Sequence, residues 1–178
     1  MTDPWPQWLV NSFSSANQPQ LEFATDESAY YGPYTRLLYH LFGIEGPFEI
    51  SPQYPSNSSR LNKHPVFFIQ VKPLATLSLD SKRKRADDQM RDHFRDLRHS
   101  LVTPRLPGVS AFGTRMAFYE YVVANNRVTP GAIPPDPNIL NDLAPIERWN
   151  CDLLEDEGIN RIRQVVQDVK AMCQALGN

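Results

Sequence analysis

Pro65-Val66-Phe67-Phe68-Ile69-Gln70-Val71-Lys72-Pro73 is the stretch from which the rest of the chain can be ordered. In an extended backbone, successive side chains alternate between faces. Phe67, Ile69 and Val71 therefore point one way, and Val66, Phe68, Gln70 and Lys72 the other. Apolar residues on both faces predict a strand over 66–72 covered from two sides, which suits the centre of a sheet. Pro73 has no amide hydrogen and ends the ladder. Downstream, Ala86, Met90, Phe94, Leu97 and Leu101 recur at helical steps, which predicts a helix over residues 81–101.

Working outward, Tyr34, Leu37, Leu38 and Leu41 predict a helix over 30–42, with Pro33 in its first turn and Gly43 and Gly46-Pro47 ending it. Phe48-Glu49-Ile50-Ser51 alternates and reads as a short strand. Pro52, Pro55 and Ser56-Asn57-Ser58-Ser59 then form a loop. Residues 108–123 read as β structure punctuated at Gly113-Thr114, and 129–145, with five prolines, as a loop. Ile159, Ile162, Val166, Val169 and Met172 mark a C-terminal helix whose preceding acids, Glu155, Asp156 and Glu157, suit its N-terminal dipole. This order predicts an α/β fold, a central mixed β-sheet flanked by helices. Residues 1–27, polar with scattered Trp5, Trp8, Phe13 and Phe23, show no clear period. They read as a partly disordered arm that packs back through its aromatics, with 28–178 as one domain.

Composition narrows the function. The 178 residues are 41% hydrophobic and 21% charged, enough for one buried core. The net charge of −2 gives no global field to draw the molecule onto nucleic acid or an anionic membrane. The charge is nevertheless segregated: residues 60–105 hold eleven bases and five acids, while 1–59 hold one base and six acids. Val66-Phe67-Phe68-Ile69 is the longest apolar run, far below the roughly 18 residues of a membrane helix, so no membrane association is expected. The N-terminus lacks the basic and apolar regions of a secretory signal. Cys151 and Cys173 cannot frame a chain of this size and read as reduced thiols, which points to an intracellular protein, cytoplasmic or nuclear.

Common catalytic motifs are missing. No GxGxxG or GxxxxGK[ST] loop occurs. Gly108-Val109-Ser110-Ala111-Phe112-Gly113 has one residue too many for a nucleophile elbow and reads instead as a strand turning at Gly113. His40, His64, His93 and His99 are scattered, and the last two face different sides of one helix. What stands out is Gln70-Val71-Lys72, with Glu49 opposite in an antiparallel register. An acid beside Gln-x-Lys is a cluster suited to Mg²⁺, the carboxylate and the amide oxygen being the ligands and the ammonium stabilising a phosphate's developing charge.

The ordered elements with Gln-x-Lys at a strand end resemble the PD-(D/E)XK nuclease superfamily and its restriction-endonuclease-like core. Pro65–Lys72, Ala86-Asp87-Asp88-Gln89-Met90-Arg91, Gly108–Thr114 and Trp149-Asn150-Cys151-Asp152 are also similar to a fungal group of such nuclease-like proteins. The resemblance implies metal-dependent hydrolysis of a nucleic-acid phosphodiester. Glu49 and Gln70 would hold Mg²⁺, and Lys72 would stabilise the pentavalent phosphate. The pattern departs from the family at two points. An acid is expected where Gln70 stands, and an Asp on the preceding strand, yet residues 54–65 contain no acid. Glu49, or Glu27 as a helix-borne acid, could substitute. Without them the implied molecule is a catalytically inactive nuclease fold that binds nucleic acid or a protein partner.

The basic helix divides the same way. Lys82, Arg83, Lys84, Arg85 and Arg91 are candidates for phosphate contact, and 82–85 also fits a nuclear-localisation patch. Asp87, Asp88, Asp92 and Asp96 interleave with the arginines and offer internal pairs such as Asp87 with Arg91, so only 82–85 is unbalanced charge.

Overall fold

The stretch that ordered the sequence forms a strand, β1 (Phe68–Lys72), in the computed structural model of the chain, which describes residues 2–17, 26–51, 63–138 and 141–177. From Lys72 the chain returns along α3 (Asp80–Leu97) into β2 (Arg105–Phe112), which runs parallel to β1. A hairpin then leads to β3 (Arg115–Val122), and β4 (Arg127–Thr129) and β5 (Cys151–Asp152) both pair antiparallel with β3. The result is a mixed five-stranded sheet in the order β1-β2-β3-β4, with β5 also on β3.

Helices cover both faces, as the alternating pattern requires. On one side Val71, Val109, Ala111 and Met116 pack with Leu9 and Phe13 of α1 (Gln7–Ala16) and Tyr34 and Leu37 of α2 (Tyr31–Phe42). On the other, Leu106, Phe112, Ala117 and Tyr119 pack with Ala86, Met90 and Phe94 of α3. α4 (Asp156–Leu176) lies against α2 through Val166, Val169 and Phe42, and Lys170 Nζ donates to Leu41 O at 2.6 Å. Gly158 lets α4 start where it does, because a Cβ there would stand 1.8 Å from Asp152 O. No helix among the described residues is long and apolar enough to cross a membrane.

Several elements differ from the sequence reading. β1 is covered on both faces but ends the strand order instead of sitting centrally. Two-sided burial records the layers above and below a strand and carries no information about its lateral neighbours. No strand forms over 48–51. Phe48 instead packs on Phe42, with ring centroids 5.0 Å apart, so its burial comes from the end of α2. The arm contains α1, where Leu9 and Phe13 are buried, and Trp5, just before it, is buried as well with its Nε1 donating to Leu153 O at 2.7 Å. The α3 helix stops at Leu97, and a 3₁₀ turn over Arg98–Ser100 follows. Phe23 and the expected loop at 52–59 lie outside the described residues.

The hairpin is where local chemistry is clearest. Gly113 has φ of 59°, and Thr114 has no positive φ, the arrangement of a two-residue turn with glycine first. A Cβ on Gly113 would also meet Leu74 Cβ at 2.8 Å. Its amide donates to Lys72 O at 2.9 Å, tying the hairpin tip to the end of β1.

Candidate functional site

The hairpin tip and the end of β1 define a rim at the C-terminal ends of the parallel strands, a recurrent place for ligands in α/β sheets. Lys72 closes β1 there, and its Nζ lies 2.9 Å from Glu27 Oε2. Glu27 is fixed because it opens a 3₁₀ turn over Glu27–Tyr30, whose start Asp26 caps by accepting from Ser28 N at 2.8 Å. One helical turn on, the Tyr31 hydroxyl donates to Glu27 Oε1 at 2.7 Å. Burial raises the Glu27 carboxyl's pKa, but the bonds from Tyr31 and Lys72 outweigh it and hold the group below its ordinary value. The same bond to Glu27, then burial, pushes the Tyr31 phenol up to about 12.

Gln70 is one pleat back on the α3 side. Its Nε2 donates to Gln89 Oε1 at 2.9 Å, and its own Oε1 is buried with no hydrogen-bond partner. Glu49 does not join this group. The strand that would have carried it opposite Gln70 is not formed, and its carboxylate pairs with Lys63 on an exposed stretch. Of the expected trio, the structure therefore keeps Gln70 and Lys72 on one strand end and removes Glu49. Glu27 takes the place beside the ammonium.

These residues do not fit a resident Mg²⁺. That ion needs near-octahedral oxygen donors including one or two carboxylates. Here the carboxylate bonded to Lys72 already accepts from a phenol on one oxygen and an ammonium on the other. The second donor, Gln70 Oε1, is neutral. Among the described residues no group of three or more His, Cys, Asp or Glu side chains is placed to hold a metal.

The basic helix has two populations of side chains. Arg83 is buried and donates to Ala144 O, Leu77 O, Asp80 and Asp142. Arg91 is bonded twice to Asp87, at 2.8 and 3.0 Å, the i,i+4 pair expected from the interleaved acids. Lys84 pairs with Asp88 on the surface. Arg83 and Arg91, both candidates for phosphate contact, thus lie inside the fold's own bonding. Lys82 and Arg85 remain exposed, with no ion pair from either side chain among the described residues.

Lys82 and Arg85 stand three and four residues apart from one another and from Gln89, so the three share one stripe of α3. Gln89 joins that stripe to Gln70 on β1, and His93, next along it, meets Phe68 edge-on with centroids 5.7 Å apart. Asp88 and Asp92, three residues after Arg85 and Gln89, flank the stripe and are paired with Lys84 and Arg95. Gln89 was not visible as a site residue, since nothing in the sequence signals a side-chain bond across layers. Ser110 is buried in mid-strand, accepting from Trp149 Nε1 at 3.3 Å, which agrees with the rejection of the nucleophile elbow. No family model, curated protein or solved structure matches the chain.

Proposed function

We propose that the chain is a nuclease-like module that binds the phosphate backbone of a nucleic acid along the Lys82–Arg85–Gln89 stripe and the end of β1, without hydrolysing it. The observation that carries the reading is the Lys72–Glu27 pair. The cation that would stabilise a phosphorane is already neutralised, and the one acid beside it is neutralised in return. Exposed Lys82 and Arg85 then supply the attraction, each phosphate contact releasing about one counterion. Gln70 Oε1 is buried without a hydrogen-bond partner, and the metal arms of the assay address it.

The test is incubation with labelled single- and double-stranded DNA and RNA in Mg²⁺, in Mn²⁺ and in EDTA. Expected are intact substrates in all three, with binding that weakens steeply with salt. In Lys82→Ala/Arg85→Ala the slope of log affinity against log salt becomes shallower by about two. Metal-dependent cleavage abolished in Lys72→Ala would overturn the non-hydrolysing reading. Absence of binding at low salt to any of the substrates would overturn nucleic acid as the partner.

A further inference from the structure

The proline-rich segment that follows β4 plays no part in the rim, yet Arg83 and Arg91 of the basic helix, with Arg148 of a 3₁₀ turn over Ile146–Trp149, fasten it at both ends. Arg91 Nη2 donates to Pro130 O at 2.9 Å, and Arg148 Nη2 to Gly131 O at 3.0 Å. Both guanidiniums are held by the buried Asp87 carboxylate, which also accepts from the Tyr119 hydroxyl at 2.8 Å. At the far end, Arg83 donates to Ala144 O at 2.8 Å and pairs with Asp142 at 2.7 Å. Between these clamps residues 132 and 134–138 are exposed.

The exposed piece is Ala132-Ile133-Pro134-Pro135-Asp136-Pro137-Asn138, and its backbone is restricted almost residue by residue. Pro134, Pro135 and Pro137 hold φ at about −65°. Ile133, Pro134 and Asp136 each precede a proline and are pushed out of the helical region. Residues 133–136 are thereby biased toward polyproline II, and the chain bends at Pro137-Asn138, where Asp136 Oδ1 accepts from Asn138 N at 2.7 Å. Asn141 closes back on the segment and fixes its position, donating from Nδ2 to Pro134 O at 3.0 Å and accepting from Asp136 N at 3.1 Å.

With three residues per turn, Pro134 and Pro137 fall on one ridge of such a helix. That is the P-x-x-P spacing which aromatic-lined grooves accept. Asp136 is the sole charge between 131 and 138, so a matching groove carries a cation beside its aromatic slots. We propose that residues 133–137 form a displayed docking motif for a protein domain with an aromatic-lined proline-binding groove. The arginine clamps lower the ordering cost of binding by holding the motif in place beforehand.

The test is an array of purified Src-homology-3 and WW domains probed with the full chain. Binding is expected to a domain with a basic residue beside its groove. In Pro134→Ala/Pro137→Ala the affinity falls at least tenfold while the thermal midpoint stays at the parent's value. Arg148→Lys keeps a cation beside Asp87 but loses the fork that also reaches Gly131, and it weakens binding several-fold. No binding by any domain of the array, or binding unchanged in the double proline variant, would overturn the motif. Proline-dependent binding unaffected by Arg148→Lys would overturn the role of the clamps.

Discussion

Asp87→Ala tests whether the arginines of the basic helix belong to the fold or to a ligand surface. The Asp87 side chain is 7% exposed, and its partners Arg91 and Arg148 are 20% and 11% exposed. Truncation removes the acceptor for two bonds from Arg91, one from Arg148 and one from Tyr119. Adding those bonds separately would overcount, because one carboxylate serves all of them. The better measure is that stripping one partner from a buried ion pair costs about 3–5 kcal/mol, since the cations left behind stay desolvated. With a urea dependence of about 2 kcal/mol per molar, the unfolding midpoint should fall by about 2 M. Tryptophan fluorescence reports it, because Trp149 is fully buried beside the network in the same core cluster as Tyr119. Removing a charge along with its partner, as in Asp87→Ala/Arg148→Met, should recover part of the loss. A cost below about 1 kcal/mol, the range of exposed pairs, would refute the reasoning and return Arg91 and Arg148 to solvent and to phosphate.

Three further variants, Leu9→Ala, Gly158→Ala and Glu27→Gln, probe the packing and the rim. Leu9→Ala, at a site fully buried in the core, should cost about 2–5 kcal/mol, and a loss under about 1 kcal/mol would show that α1 lies outside the core. Gly158→Ala must move α4 away from Asp152 O and should cost about 3 kcal/mol or more, so a parental thermal midpoint would contradict the close approach. Glu27 titrates below its ordinary 4.5, so its contribution is present above that value and lost as pH falls through the lowered one; in Glu27→Gln the acid limb of stability should be shallower. In the same variant the Tyr31 phenol should return from about 12 toward 10.0 in an alkaline absorbance titration referenced to Tyr31→Phe, and an unmoved curve would deny the bond.

The elements read correctly are those whose burial is periodic and whose ends are marked. α2, α3 and α4 carry apolar stripes, and the hairpin carries Gly113 at its tip. α1 was missed although Trp5, Leu9 and Phe13 recur every four residues, because two prolines precede it and serines crowd its second half. Such residues lower intrinsic helix preference, and the helix is held by tertiary packing that composition does not report. At the site, Lys72 and Gln70 were legible as polar residues on an apolar strand. Glu27 was named only through the resemblance, as a helix-borne acid; its contact with Lys72 spans 45 positions and depends on how the turn after the arm docks, which a local pattern cannot encode. Charge counting failed in a different way. It treats Arg83 and Arg85 alike, although one is 4% exposed and bonded at four points while its neighbour faces outward.

Whether the rim has lost a metal or never held one turns on Gln70. Its Oε1 is buried without a partner, and its Nε2 rests on Gln89. Gln70→Glu places a carboxylate in nearly the same volume, where burial opposes its charge and Lys72 is already engaged by Glu27. In EDTA the variant should be less stable than the parent by about 1–3 kcal/mol, the cost of a buried polar group left without its compensating bond. A divalent cation that uses the new carboxylate offsets this by mass action, about 2.7 kcal/mol at a hundredfold excess over its dissociation constant. The thermal midpoint of Gln70→Glu should therefore rise with Mg²⁺ or Mn²⁺, while the parent's stays flat. If the parent's midpoint rises as well, the donors already present hold a metal, and the misfit argued for Mg²⁺ at this rim is overturned.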